Sequence, residues 1–221
     1  MSYSMPPAAR SVLATVILLA GFSAAGVAAE LKGDAAAGSS KAAVCTACHG
    51  LNGNSSNPEW PVIAGQNAVY VRDQVARIKT GKRTAPLMLP MVQTLSDQDI
   101  ADLGAFFSTQ TPTGNEADPS YWKAGQKLYR NGDVARNIPA CSSCHGPMGR
   151  GNPAAGYPAL QAQHAVYTLK QLDGYANDTR YTKDAAGKTQ ASANAPIMAT
   201  IATRLTAEDR RNVASYIQGL R

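Results

Sequence analysis

Two short segments hold most of the side chains in this chain that are able to bind a cofactor covalently. Both have the pattern Cys-x-x-Cys-His, and together they contain all four cysteines and two of the three histidines. The segments are Cys45-Thr46-Ala47-Cys48-His49 and Cys141-Ser142-Ser143-Cys144-His145. This pattern is the attachment signal of a c-type haem, in which the thiols form thioethers with the vinyl groups and the histidine binds the iron. The sequence therefore predicts two covalently bound haem groups.

Other uses of paired cysteines fit the sequence less well. A structural zinc site would combine both pairs, but it does not explain why a histidine directly follows each pair. A thioredoxin-like motif would occur once, in a βαβ context. Two disulfides in an oxidising compartment would need neither His49 nor His145. Only covalent haem uses every cysteine and histidine of both motifs.

The first 29 residues have the organisation of a secretory signal peptide. One basic residue, Arg10, precedes the apolar run 12–20, and small residues continue to Ala29. The apolar run is about half as long as the ~20 residues that a membrane-spanning helix needs. We expect residues 1–29 to be removed and the mature protein to be periplasmic, with a retained N-terminal anchor as the alternative.

The charge pattern gives no sign of a nucleic-acid partner. The chain has 21 Lys and Arg against 15 Asp and Glu, for a formal net charge of +6. These basic residues are scattered and never form a run of five or more, which is typical of a solvated surface.

The two haem motifs belong to a longer internal repeat. The matching segments are 61–66 with 158–163, 68–70 with 165–167, 85–88 with 195–198, and 95–99 with 205–209. A repeat of this length indicates a duplicated domain. We predict one domain over residues 30–110 and another over 120–221, joined by the polar, proline-containing linker 111–119.

Both copies are predicted to be all-α, each a small helical fold of three main helices around its haem. In the first copy, Asp34 can cap a helix that leads to the haem cysteines. A second helix is predicted from about Gln66 to Thr80. The third begins at a capping box formed by Ser96 and Asp99, which the second copy repeats.

The second copy differs from the first by two insertions. One covers residues 130–138, before the haem motif, and the other covers residues 175–195. The polar composition of the latter predicts an exposed loop. The remaining histidine, His164, aligns with Asn67, and a polar surface position at a helix start explains it better than a role as an iron ligand.

Each iron also needs a second axial ligand, and methionine is the expected one. A thioether raises the reduction potential of haem iron, whereas an open position would allow bond chemistry. In the second copy Met198 is the candidate, because Met148 lies too close to His145 in the sequence and is predicted to pack in a loop.

The first copy offers two methionines, Met88 and Met91. The repeat favours Met88, because Met88 and Met198 both follow Ala-Pro and an aliphatic residue and lie equally far before the last helix. Met91 aligns with Ile201 and is predicted to serve in packing.

These motifs together resemble the dihaem cytochrome c4 family. The resemblance rests on the two haem motifs, a proline after each (Pro61 and Pro158), the Gln-x-Ala-x-Tyr helix starts, the Pro-x-Met segments, and the C-terminal segment 216–220. It implies two class I cytochrome c folds related by a pseudo-twofold axis. It also implies ligation of both irons by histidine and methionine, with the proline carbonyls accepting hydrogen bonds from the ligand histidines.

The same resemblance implies a function in respiration. Members of the family are periplasmic, often membrane-associated, electron donors to terminal oxidases. We therefore expect a monomeric carrier of single electrons between respiratory redox partners, peripherally associated with the membrane at most, and not an enzyme. The alternatives are a tightly bound dihaem subunit of a larger oxidase or dehydrogenase, and a dihaem peroxidase.

The haem motifs make a direct prediction about mass. Mass spectrometry under denaturing conditions should give the mass of the chain from residue 30 plus two haem groups, which should stay attached in acid. A mass with one haem, or one that reports only disulfides, would contradict the interpretation.

Overall fold

The computed structural model describes residues 1–2 and 31–221, and within them the chain folds into helices and loops. The helices are α1 (Ala35–Lys41), α2 (Ala43–His49), α3 (Ala68–Lys79), α4 (Leu89–Val92), α5 (Asp97–Ser108), α6 (Trp122–Asn131), α7 (Ser142–His145), α8 (Ala165–Ala176), α9 (Ala195–Arg204) and α10 (Ala207–Gln218). The described residues pair in β fashion only at isolated bridges, so the all-α prediction is confirmed. The predicted signal peptide lies outside these residues. No helix of the described part has the length and apolarity to cross a membrane.

The predicted helix starts agree well with the structure. The Asp34 carboxylate accepts a hydrogen bond from the Ala36 N–H at 2.8 Å and so caps α1. The helix does not continue to the cysteines as predicted, because Ala42 separates α1 from α2. Capping boxes begin both α5 and α10, as expected from Ser96 and Thr206. The short helix α4 and the longer α9 were not predicted.

In each copy the first helix crosses the last at very close range. Helix α1 packs against α5, and α6 packs against α10. A Cβ atom added to Gly38 would lie 2.0 Å from the backbone oxygen of Asp102, and one added to Gly125 would lie 2.0 Å from that of Asn212. Only glycine permits this approach, which closes one side of each core.

Each helix crossing has its own apolar core behind it. The cluster in the second copy includes Leu128, Tyr129, Ile138, Leu172, Leu205, Val213, Tyr216, Ile217 and Leu220, and the one in the first includes Ala42, Leu103 and Phe107. The haem cysteines Cys45 and Cys141 pack against these clusters. The cores are small because each must leave room for a haem.

The segment between α5 and α6 is held against both copies. The Thr113 N–H donates to Asn54 Oδ1 at 2.9 Å, and the Asp118 N–H donates to Ser215 Oγ at 2.9 Å. The predicted linker 111–119 therefore contacts a loop of the first copy and the last helix of the second. The exact domain boundaries stay predictions.

The insertion at 175–195 is only in part the exposed loop that its composition predicted. Residues 177–179 and 183–188 are exposed as expected. Arg180 and Tyr181 are buried, and Arg180 Nη2 donates to the Tyr70 hydroxyl of α3 at 2.9 Å. The Thr182 N–H donates to the Lys82 carbonyl at 3.1 Å. The prediction fails at Arg180 and Tyr181, because the polar composition of the segment does not show that these two side chains pack against the first copy.

The two crossing glycines can be tested by substitution. Alanine favours helix over glycine by up to ~1 kcal/mol, but a methyl group this close to a carbonyl forces the helices apart. We expect Gly38→Ala and Gly125→Ala each to lower the free energy of unfolding by about 1–3 kcal/mol, as overpacked cores do. Urea unfolding of the haem-loaded protein measures the loss. Ser39→Ala, an exposed change on α1, is the control, and a Gly38→Ala midpoint equal to that of the control would contradict the argument.

Candidate haem sites

The four cysteines are free thiols in the structure, as thioether formation requires. Cys45 and Cys48 lie at i and i+3 on α2 and therefore project from the same side of the helix. Burial raises the pKa of the Cys45 thiol, and it raises the pKa of Cys141 to about 11. Burial therefore favours the protonated thiol at Cys45 and Cys141. The disulfide interpretation finds no support here.

The two predicted ligand histidines, His49 and His145, end α2 and α7 and are buried. His49 Nδ1 lies 2.8 Å from the Pro61 carbonyl oxygen, and His145 Nδ1 lies 2.9 Å from that of Pro158. Because a carbonyl only accepts, the proton is on Nδ1, and Nε2 keeps its lone pair. Burial lowers the pKa of both imidazoles, against the effect of these hydrogen bonds, and so favours the neutral form that a metal needs. The expected role of the two prolines as acceptors is confirmed.

The two predicted methionine ligands lie in different local structures. Met198 is in α9, and Met198 and Cys141 both pack against the apolar core of the second copy. Met88 precedes α4 as its half-buried N-cap residue. Met91 is 46% exposed, so the prediction that it serves in packing is wrong.

His164 was predicted to lie at the surface, and this prediction is wrong. The side chain is 2% exposed. Its Nε2 donates to the Ser55 carbonyl at 2.8 Å, and its Nδ1 accepts from Asn115 Nδ2 at 3.3 Å. Both ring nitrogens are therefore occupied, which excludes a role as an iron ligand and makes His164 part of the contact between the two copies.

The sequence did not predict the polar surface along which the two copies meet. The Gln163 carboxamide pairs with Val62 of the first copy, and the Gln66 carboxamide pairs with Ala159 of the second. The alignment of Gln66 with Gln163 in the repeat marks both positions. It does not show that each side chain bonds to the backbone of the opposite copy.

Arginines cross the same surface in a reciprocal way. Arg83 Nη2 donates to the Tyr167 hydroxyl at 2.9 Å, and Arg180 Nη2 donates to the Tyr70 hydroxyl at the same distance. The two arginines repeat the pattern of the glutamines, since each donates to a helix of the opposite copy: Arg83 to α8 and Arg180 to α3.

One of these arginines shows that the residues fit a bound haem. Arg180 is 6% exposed, and its Nε and Nη1 have no hydrogen-bond partner among the described residues. The guanidinium lies over the rings of Tyr175 and Tyr181, at 4.9 and 5.5 Å from their centroids. No described carboxylate forms an ion pair with it, and a buried charge without a counter-charge is unfavourable. Haem carries two propionate carboxylates, so a bound haem brings an acceptor of the missing kind. The free thiols and the uncommitted histidine Nε2 atoms fit the same group.

The described residues do not form a zinc site from the two cysteine pairs. Within residues 31–221, no cluster of three or more His, Cys, Asp or Glu side chains is arranged to hold a metal ion. The two Cys-x-x-Cys-His motifs form separate sites, one in each copy.

Comparison with known proteins agrees with the arrangement of the sites. A family model described as cytochrome c matches residues 35–111 and 122–221. Cytochrome c4 of Pseudomonas aeruginosa is 45% identical over 192 residues, which cover 87% of this chain and 91% of that protein. The crystal structure of reduced recombinant cytochrome c4 from Pseudomonas stutzeri matches with a TM-score of 0.77 and 42% identity, covering 86% of this chain and 100% of that one.

A more distant relative differs in its described role. A thiosulfate dehydrogenase electron acceptor of Thiomonas intermedia is 32% identical over 187 residues, which cover 82% of this chain and 81% of that protein. The duplicated haem motif, the helical fold of each copy and the extent of these matches lead to one assignment. The chain belongs to the cytochrome c4 family and is an electron-transfer protein with two tandem cytochrome c domains and two covalently bound haem c groups.

Proposed function

We propose that this protein is a periplasmic carrier that passes single electrons between respiratory-chain components and delivers them to a terminal oxidase. The observation that supports it best is the matched pair of sites. In each, a buried histidine keeps Nε2 free, and a methionine follows at the same place in the repeat. The signal-like N-terminus, residues 1–29, supports export.

In this proposal each copy holds one haem through its own residues. Cys45 and Cys48 attach the first, with His49 and Met88 as axial ligands. The second site uses the corresponding set, Cys141, Cys144, His145 and Met198. When bound, haem supplies reversible one-electron exchange at its iron.

The protein tunes that exchange and prevents other reactions. The proline carbonyls orient the imidazoles and raise their basicity, as outer-shell partners of metal ligands do. A thioether from Met88 or Met198 bound to the iron would leave no open coordination position for a substrate. Electron transfer without bond chemistry is what such a site performs best, and we propose that the protein is not an enzyme.

A second candidate function is that of a dedicated partner of a larger dehydrogenase. It is favoured by the relative from Thiomonas intermedia that is named as an electron acceptor of thiosulfate dehydrogenase. Gel filtration of the native periplasmic fraction separates the two candidates. A free carrier, which is associated with the membrane only peripherally if at all, elutes as a monomer. A bound subunit elutes together with its partner.

Closed coordination at both irons predicts the response to carbon monoxide. Reduced protein near neutral pH should bind carbon monoxide negligibly, because the proposed methionine ligand would hold the position that the gas needs. The Soret difference spectrum measures this directly. Stoichiometric binding at one haem, accompanied by peroxide turnover, would instead support a dihaem peroxidase.

The choice between Met88 and Met91 can be decided by two matched substitutions. We expect Met88→Leu to remove the thioether-to-iron charge-transfer band of the first haem and to lower its reduction potential. Met91→Leu should keep the band and change stability by less than ~1.5 kcal/mol, because it conserves volume at an exposed side chain. Near-infrared absorption of the ferric protein reports the band. Loss of the band in Met91→Leu alone would show that the alignment of the repeat is wrong.

A further inference from the structure

Each ligand histidine is connected to the other copy through a single peptide unit. The carbonyl of the Pro61–Val62 peptide accepts the hydrogen bond from His49 Nδ1 at 2.8 Å. The N–H of the same peptide, which belongs to Val62, donates to Oε1 of Gln163 at 2.8 Å. In a trans peptide these two groups point in opposite directions, so the histidine and the glutamine lie on opposite sides of it.

The second site has the same connection in the reverse direction. His145 Nδ1 bonds to the carbonyl of the Pro158–Ala159 peptide at 2.9 Å, and the Ala159 N–H donates to Oε1 of Gln66 at 2.9 Å. Two chains of hydrogen bonds therefore cross the interface. Each begins at a ligand histidine of one copy and ends at a glutamine of the other.

Both chains are shielded from water. Val62, Ala159 and the two glutamines are all buried, with exposed fractions of 5 to 8%. Each carboxamide also donates from Nε2 back to the carbonyl of the residue it binds, at 2.8 Å for Val62 and 3.0 Å for Ala159. The glutamine oxygens are therefore fixed in place, and if one were removed, water could not easily replace it.

Hydrogen bonds in such a chain strengthen one another. An acceptor at the N–H polarises the peptide so that more negative charge lies on the carbonyl oxygen, and each such bond strengthens the next by about 10–30%. A better acceptor gives the imidazole more anionic character and makes it a stronger donor to iron. A stronger donor favours the ferric state and lowers the reduction potential.

We propose that Gln163 lowers the reduction potential of the first haem and that Gln66 lowers that of the second. Each is a positioning residue that acts through a backbone peptide, since its carboxamide bonds to the peptide and not to the histidine. Docking of the two copies thereby becomes part of the tuning of both irons. The proposal rests on His49 and His145 being the iron ligands, as in the proposed function.

The test replaces one glutamine at a time in the haem-loaded protein. Leucine is the replacement of choice, because methionine would introduce a second thioether. We expect Gln163→Leu to raise the potential of the first haem more than that of the second, and Gln66→Leu to do the reverse. Redox titration followed by proton NMR resolves the two haems through their shifted methyl signals. The Val62 amide should also exchange faster in Gln163→Leu.

Two further variants separate this effect from a purely structural one. Gln171→Leu removes a carboxamide of the same interface that contacts Arg83 and no histidine-bound peptide, so it should shift neither haem selectively. Gln163→Glu keeps an oxygen opposite the Val62 N–H in either protonation state, so the first haem should stay at or below the wild-type potential.

Several results would overturn the proposal. If the glutamines act only by closing the interface, water reaches both haems in Gln163→Leu and both potentials fall together. A shift no larger than that of Gln171→Leu, or a rise in Gln163→Glu, would also reject it. If Gln163→Leu does not incorporate haem, Gln66→Leu and Gln163→Glu still decide. Failure of the proposed function is recognised separately, because the wild type would then lack covalent haem or the methionine-to-iron band.

Discussion

The structure depends most on the hydrogen bond between each predicted ligand histidine and a proline carbonyl. Both nitrogens of a buried imidazole need a partner, and the bond at 2.8 Å from His49 Nδ1 to Pro61 leaves only Nε2 for the proposed bond to iron. The carbonyl comes from the loop that precedes α3, so the position of that loop determines the orientation of the ring. The same loop and its counterpart meet across the interface through Gln66 and Gln163. The same loops therefore determine both the orientation of the predicted ligand histidines and the docking of the two copies.

The duplication gives this constraint a pseudo-twofold symmetry, and the insertions reduce it. Arg83 and Arg180 make equivalent bonds to the tyrosines of the opposite copy, yet Arg180 is buried while Arg83 is half-exposed. On α8, Thr168 carries a buried hydroxyl without a partner among the described residues, where α3 has the apolar Val71. The buried positions of the two copies therefore differ in polarity, and a difference of that kind is one route by which similar ligands acquire different potentials.

Local signals predicted well what local physics determines. The capping box at Ser96 and the cap at Asp34 depend on neighbouring residues only, and both occur as expected. The proline acceptors followed from family resemblance, since their spacing alone is a weak signal. His164 and the insertion around Arg180 were misjudged because their burial depends on the other copy. Polar residues that pack across a domain interface have no periodicity that distinguishes them from surface residues.

The polar contacts of the interface fix the position of one copy relative to the other. An apolar contact would hold the copies together but would tolerate sliding. Here Gln163 pairs with both the N–H and the carbonyl of Val62, and any shift would leave buried backbone groups unsatisfied, at about 1–3 kcal/mol each. Such pairing fixes the register of one copy on the other. Because electron transfer between two haems depends steeply on their separation, a register fixed in this way keeps the two redox centres at a constant distance.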